Sequence, residues 1–447
     1  MIYWIITIII VLISMQLFKT ACGSLSLNKL NTISYVFYFQ LIIMTVIGSV
    51  FVVTGYADYK EDLRVLSFES KLFSWITVLY SIILMPLSML FLNKLIGLKN
   101  IRTALDKYIN KELHYELSYK KEKILLFIFL AISITVTNYV LTANNSIPII
   151  DLLNGDSELA ATGRLEVRNN FGGIIYIKNL IGLIMMPIFA YYSFIIYRKY
   201  KTFYCFNLFV LLNILTTFLL VYDTQKAPII FFLVGYIIVL TFVSNGVSKK
   251  RLFSFIFLGV FLMVVSYTLT SSNKSGLSQL TRLQSGFYGR LFISGFQGVP
   301  MTYEYFPDKI KENTFYVGIP KKIAKYFKLE SKESARLLME YVHPEAVKNR
   351  TGNLMSSYFT AEAYANYGVF GVLISPIIVG FILQITHLLL IMSRKKPIYI
   401  AFYSLITVKW VLISGFVSFL YAKLILYPLI LLIIYRVFEN TLKKIKL

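Results

Sequence analysis

Acidic side chains are scarce in this chain. Asp and Glu together number 22 among 447 residues, and all charged residues make up only 15%. A soluble chain of this length would carry far more charge and would divide into domains, so that class is excluded. Cysteine is nearly absent too. Cys22 and Cys205 offer no disulfide framework and no metal-ligand spacing. There is no Asp-x-Asp pair to hold a metal on a nucleotide sugar, no Walker-type loop, no zinc spacing and no Gly-x-Ser-x-Gly elbow. No internal repeat, inverted or parallel, is visible, which disfavours the many transporters built from repeats. The first residues, Met1-Ile2-Tyr3-Trp4, lack a basic region and a small-residue cleavage site, so they read as a retained first span rather than a signal peptide.

What is abundant is apolar. Hydrophobic residues make up 57% of the chain and aromatic residues 16%. They fall in runs of about 17–25 residues, the length of helix that crosses about 30 Å of hydrocarbon. A membrane β-barrel would need short alternating strands instead. The expected fold is all-α: a polytopic membrane helix bundle of about eleven spans. The spans are placed at 2–18, 32–55, 72–92, 124–143, 173–197, 203–221, 228–244, 252–270, 357–392, 398–416 and 420–435. The run at 357–392 exceeds one span, so its first turns belong to the outer mouth.

The net charge of +23 would point to nucleic acid in a soluble protein. Here it follows from short basic loops, and no nucleic-acid partner is expected. Lys94, Lys99, Arg102, Lys107, Lys111, Lys120, Lys121 and Lys123 crowd one loop, and Arg198, Lys199 and Lys201 another. Lys249, Lys250 and Arg251 fill a third, Arg394, Lys395 and Lys396 a fourth, and Lys443, Lys444 and Lys446 end the chain. All five fall on one side of the bundle, which the positive-inside rule makes the cytoplasm. The N-terminus is then outside and the C-terminus inside. The opposite face receives residues 58–71, 144–172, the tight turn 222–227 and a polar stretch, 271–357, much longer than an ordinary connection. Within that stretch Ile319, Ile323 and Phe327 recur among lysines, as in a basic amphipathic helix at headgroup level. Ser331 is placed to cap a second helix, ended by His343-Pro344.

Chemistry is expected at this outer face. Arg164, Arg168, Arg282, Arg290 and Arg350 carry planar guanidinium groups that grip phosphate in pairs of hydrogen bonds. Lys226, in the turn Tyr222-Asp223-Thr224-Gln225-Lys226, must lie at the mouth of any cavity. His343 is the one outer histidine suited to general-base work. Glu362, Glu304 and Asp223 compete for that task. Lys409 lies deep in a span, where an ionisable group usually faces a cavity or a partner. Lys178 and Lys423 lie nearer the interface and can snorkel.

Two stretches carry a family resemblance. One is Gly289-Arg290-Leu291-Phe292 followed by Gln297-Gly298-Val299-Pro300-Met301-Thr302-Tyr303-Glu304-Tyr305-Phe306-Pro307, and the other is Glu362-Ala363-Tyr364-Ala365-Asn366-Tyr367-Gly368-Val369-Phe370-Gly371. With Gly318, the basic turn at Gln225-Lys226 and the hydropathy of most of the length, the chain resembles the Wzy-type polymerases of O-antigen and capsule repeat units. That resemblance implies a metal-independent, GT-C-type glycosyltransferase of the bacterial cytoplasmic membrane, with no cofactor. It would join undecaprenyl-diphosphate-linked oligosaccharides on the outer face, among membrane lipids and with a chain-length regulator as a further partner. Arg290 would hold the diphosphate, with Arg164, Arg282, Lys226, Arg168 and Arg350. His343, Glu362 or Glu304 would act as base, and Lys409 and Tyr303 would line the cavity. The paired arginine–glycine loop motifs of some members are absent, so donor and acceptor loops stay unassigned. A flippase or other transporter of lipid-linked oligosaccharide, an O-antigen ligase and a non-catalytic receptor or scaffold remain as alternatives.

Overall fold

The computed structural model describes residues 1–144, 146–269, 286–311, 326–328, 333–352, 354–410, 415, 433–437, 439–441 and 443. Every regular element among them is helical. In chain order these include α1 (Ile2–Cys22), α2 (Thr32–Val53), α3 (Phe68–Leu95), α4 (Ile101–Asn110), α5 (Tyr119–Thr142), α6 (Ser157–Asn169) and α7 (Ile177–Tyr200). Then follow α8 (Phe203–Val221), α9 (Ala227–Val243), α10 (Lys249–Leu269), α11 (Gly298–Tyr305), α12 (Ser334–Val342), α13 (Phe359–Ile391) and α14 (Pro397–Lys409).

Seven of these, α1, α2, α3, α5, α7, α8 and α13, are long and apolar enough to cross a membrane, and α9 and α14 are shorter apolar helices. α10 occupies the region expected at 252–270. Residues 411–414 and 416 of the span expected at 398–416 and most of the one at 420–435 lie outside the described residues. Local signals start these helices where they start. The Asn31 side chain accepts from the Ser34 amide while Ser34 Oγ reaches back to the Asn31 amide, a capping box at the head of α2. Ser67, Asn100 and Thr202 cap α3, α4 and α8. Proline opens α9 and α14, where no backbone donor is needed.

The loops sort to two ends as alternate crossings require. At one end the basic segments meet. Lys395 Nζ donates to the carbonyls of Ile109 and Lys111, each at 2.6 Å. Lys199 sits 3.6 Å over the Tyr115 ring, Lys396 and Lys443 both pair with Glu116, and Lys29 pairs with Asp106 at 2.6 Å. At the other end Lys60 reaches Ser294 and Gln297, His343 meets Asp62, and the Ile149 amide donates to Tyr222 O at 3.0 Å.

Three expectations need correction in detail. The 144–172 connection is not plain loop; it holds a short helix, Pro148–Leu153, and α6. The long polar stretch is partly interior. Its 289–305 portion packs against α2, α3 and α13, because Ile293, Phe296, Val299 and Met301 are apolar and fully or almost fully buried. Two glycines make that insertion possible. A Cβ on Gly48 of α2 would lie 2.3 Å from Phe292 O, and one on Gly298 would lie 2.2 Å from Ser356 O. Finally, α12 begins after Glu333. The cap expected at Ser331, and all of the 319–328 helix but residues 326–328, lie outside the described residues.

Candidate functional site

The site is built at the end opposite the basic loops, around the turn between α8 and α9. Thr224 adopts a left-handed conformation (φ 59°), its amide donating to Val221 O at 2.8 Å. Asp223 accepts from the Gln225 amide at 3.3 Å and from Gln225 Nε2 at 2.6 Å. Tyr222 is buried and anchors the turn through the Ile149 amide. A turn fixed at so many points presents Lys226, the residue before α9, in one place.

Opposite it stands Arg290, on a π-helical stretch, Gly289–Ser294. Lys226 and Arg290 line one hollow of about 450 Å³. Its walls are mainly apolar, from Phe39, Met44, Ile230, Phe231, Met263, Phe287 and Leu291, with Gln40, Thr45, Ser357 and Tyr358 adding polar edges. The hollow is thus amphiphilic: two cations and a long greasy wall.

The electrostatics draw further residues in. The Lys226 ammonium is pushed down to about 8, by burial first and then by the charges of Arg290 and Arg164. Lys60 is also lowered, by burial and by Arg290, with Asp62 opposing. Asp223 is raised by burial, against the Gln225 amide and the charges of Arg164 and Lys178; its own charge reaches Lys409. A lysine lowered by burial and by neighbouring cations marks a concentration of positive charge suited to an anion.

A second hollow, of about 410 Å³, lies beside Thr224 and is lined by Arg164, Arg168 and Thr351 among others. The two arginines share a face because they stand four residues apart on α6. Arg350 precedes Thr351, exposed and left-handed at φ 57°. The turn 222–227 therefore separates two basic hollows.

A hydrogen-bonded chain joins Arg290's segment to His343. Lys60 Nζ donates to Ser294 Oγ at 2.7 Å and to Gln297 Oε1 at 2.8 Å. Gln297 Nε2 donates to Asp62 Oδ2 at 2.7 Å, and His343 Nε2 lies 3.0 Å from the same oxygen. A carboxylate oxygen accepts, so a neutral His343 ring facing it would carry its proton on Nε2 and keep the Nδ1 lone pair. Lys60, Asp62 and the role of Gln297 were not read from the sequence. The signal available was a Lys-x-Asp pair in a short outer loop.

The remaining candidates are placed as follows. Glu304 binds the head of α3: its Oε2 accepts from Ser67 Oγ (2.5 Å), Ser70 Oγ (2.7 Å) and the Ser67 amide (3.2 Å), with Lys309 3.7 Å from Oε1. Burial pushes its carboxyl up, but these donors hold it below the usual carboxylate range. Tyr303 is buried, its hydroxyl 3.0 Å from Thr77 Oγ1 and 3.2 Å from Thr360 Oγ1. It knits α11 to α3 and α13 and is not among the residues lining the hollow. Glu362 is buried in the first turn of α13. Lys409 sits on the last, π-helical turns of α14. Arg282 lies outside the described residues.

Compared with protein-family models, curated proteins and solved structures, the chain finds no match.

Proposed function

We propose that the chain is a glycan polymerase of the bacterial cytoplasmic membrane, with its N-terminus outside and its C-terminus in the cytoplasm. It joins oligosaccharide repeat units carried on a polyprenyl diphosphate, in the manner of a metal-independent, GT-C-type glycosyltransferase. The observation that carries this reading is the hollow shared by Lys226 and Arg290, cationic at one edge and apolar along its wall. A lipid-borne diphosphate has those same two parts. Bidentate guanidinium contact and a compact ammonium suit its oxygens.

In the proposed step the acceptor hydroxyl oxygen bonds to the donor sugar's anomeric carbon as the bond from that carbon to the diphosphate breaks. Arg290 and Lys226 stabilise the charge that builds on the departing diphosphate, with Arg164 adding its field from the neighbouring hollow. The hydroxyl proton passes to a base. His343 is favoured, since its Nε2 faces Asp62 and its neutral ring would offer Nδ1 as the base, whereas Glu304 is committed to the head of α3.

The test is reconstitution of the pure protein in vesicles with polyprenyl-diphosphate-linked repeat units. Formation of a polymer ladder with release of polyprenyl diphosphate is the expected result. Transfer of intact units between leaflets without polymer would overturn it in favour of a transporter, and transfer to a different acceptor alone would favour a ligase.

A further inference from the structure

Another hollow lies at the opposite end of the bundle. Its volume is about 690 Å³, and its lining includes Lys19 at the end of α1, Lys94 at the end of α3, Lys99 in the following loop and Arg102 in α4. No carboxylate lines it. All four cations are exposed, and no ion pair or hydrogen bond engages their heads among the described residues. Two neutral polar side chains beside them are engaged elsewhere. Asn93 donates to Ala21 O and accepts from Gln384, and Asn100 accepts from the Thr103 amide. Four like charges are held together with no carboxylate among the lining residues, whereas Lys29, Lys396 and Lys443 at the same end are paired with carboxylates.

The surface leading to this hollow is apolar. Only 28% of the apolar stretch of α1 is buried inside the protein. Ile9, Leu12 and Ile13 are exposed one to two turns before Gln16 and Thr20, which line the hollow. On α3, Leu87 and Phe91 are exposed just before Lys94. An acyl chain laid along that strip would bring its headgroup to the four cations.

We propose that this hollow binds the phosphodiester headgroup of an anionic phospholipid, whose acyl chains lie on the exposed strip of α1 and α3. The complementarity is of charge at the head and of apolarity along the tails. This assignment does not depend on the proposed polymerase activity.

The experiment is native mass spectrometry of the full chain released from nanodiscs of mixed phosphatidylglycerol and phosphatidylcholine. The variant Lys94→Gln/Lys99→Gln is compared with Lys249→Gln/Lys250→Gln, which removes the same charge outside the hollow. Circular dichroism melting tests that each is folded. Wild type should retain phosphatidylglycerol selectively. The first variant should lose affinity about fivefold per charge, about 25-fold in all, while the second stays near wild type. Equal loss in both variants, or no selectivity over phosphatidylcholine, would overturn the proposal. Displacement of the lipid by inorganic phosphate alone would overturn it too, since the hollow would then take a free anion. If the double variant does not fold, Lys19→Gln and Arg102→Gln are measured singly, and wild-type affinity in both would count as failure.

Discussion

At the scale of single residues, the basic groups differ in what they are placed to do. Arg290 and Lys226 share a wall; Arg164 acts on Lys226 through its charge while lining its own hollow. Arg290→Ala should slow polymer formation by about 10²–10³-fold, the usual effect of losing one preorganised contact to a developing charge. Arg290→Lys should recover only part, because one ammonium cannot make the paired contact; initial rates from the ladder assay check both. In the proposed step Asp62 is a positioning residue, acting through His343. Asp62→Asn and His343→Gln should each slow the reaction about 10²-fold or more, and the double variant should be no worse than the worse single, as for groups that work as one unit. Strictly additive losses would separate them. Lys226 sets a pH dependence. Its ammonium is lowered to about 8, so binding of a diphosphate should weaken as pH rises through that value, where an ordinary lysine would stay charged. The sign for stability is opposite: below about 8 the native state carries the cost of a repelled cation, and stability rises with pH between there and the unfolded lysine's pKa. Lys226→Arg should flatten the binding profile, as isothermal titration at several pH values would reveal.

At the scale of elements, the site rests on helices that depart from ideal winding. Gln40, Lys178, Arg290 and Lys409 each lie on one of the four π-helical stretches among the described residues. Such windings recur at functional sites because they re-aim side chains at a cost in backbone geometry. The glycine contacts are equally specific. Gly48→Ala would drive a Cβ into Phe292 O and should destabilise the protein by about 1–3 kcal/mol, displacing Arg290's segment and lowering activity with it. Gly259 in α10 meets nothing within 4 Å, so Gly259→Ala should be neutral or slightly stabilising. Thermal unfolding in detergent compares the two. None of this was legible in the sequence, where π-helical and α-helical runs read alike and a glycine's neighbour 244 residues away leaves no trace. The same limit hid the His343–Asp62–Gln297–Lys60 chain, whose members pair across 235 to 281 positions. What was legible was local: the turn that fixes Lys226, the helix ended by His343-Pro344, and the arginines of the 144–172 connection.

At the scale of the molecule, counting lysines and arginines was enough to sort the loops, because a chain of crossing helices leaves each loop only two places to go. The structure brings the basic segments together at one end and the segments 58–71, 222–227, 286–311, 333–352 and 354–358 at the other. The hydropathy of residues 289–305 misled, since a short apolar segment within a polar stretch gives too little length to call it interior. The proposed orientation makes a clear prediction. Cys22 and Cys205 are buried, so a single introduced cysteine reports cleanly. Asp308→Cys should react with an impermeant maleimide on intact cells, and Lys99→Cys only after permeabilisation; the reverse pattern would invert the molecule.

The central claim is that a lipid-borne diphosphate enters the hollow between Lys226 and Arg290. Its most direct test is the Kd of the purified protein for polyprenyl diphosphate bearing no sugar. Wild type should bind it, and Lys226→Ala/Arg290→Ala should bind about 100-fold more weakly while melting at the same temperature, each lost charge-assisted contact contributing about tenfold. Equal affinity in the folded double variant would contradict the account.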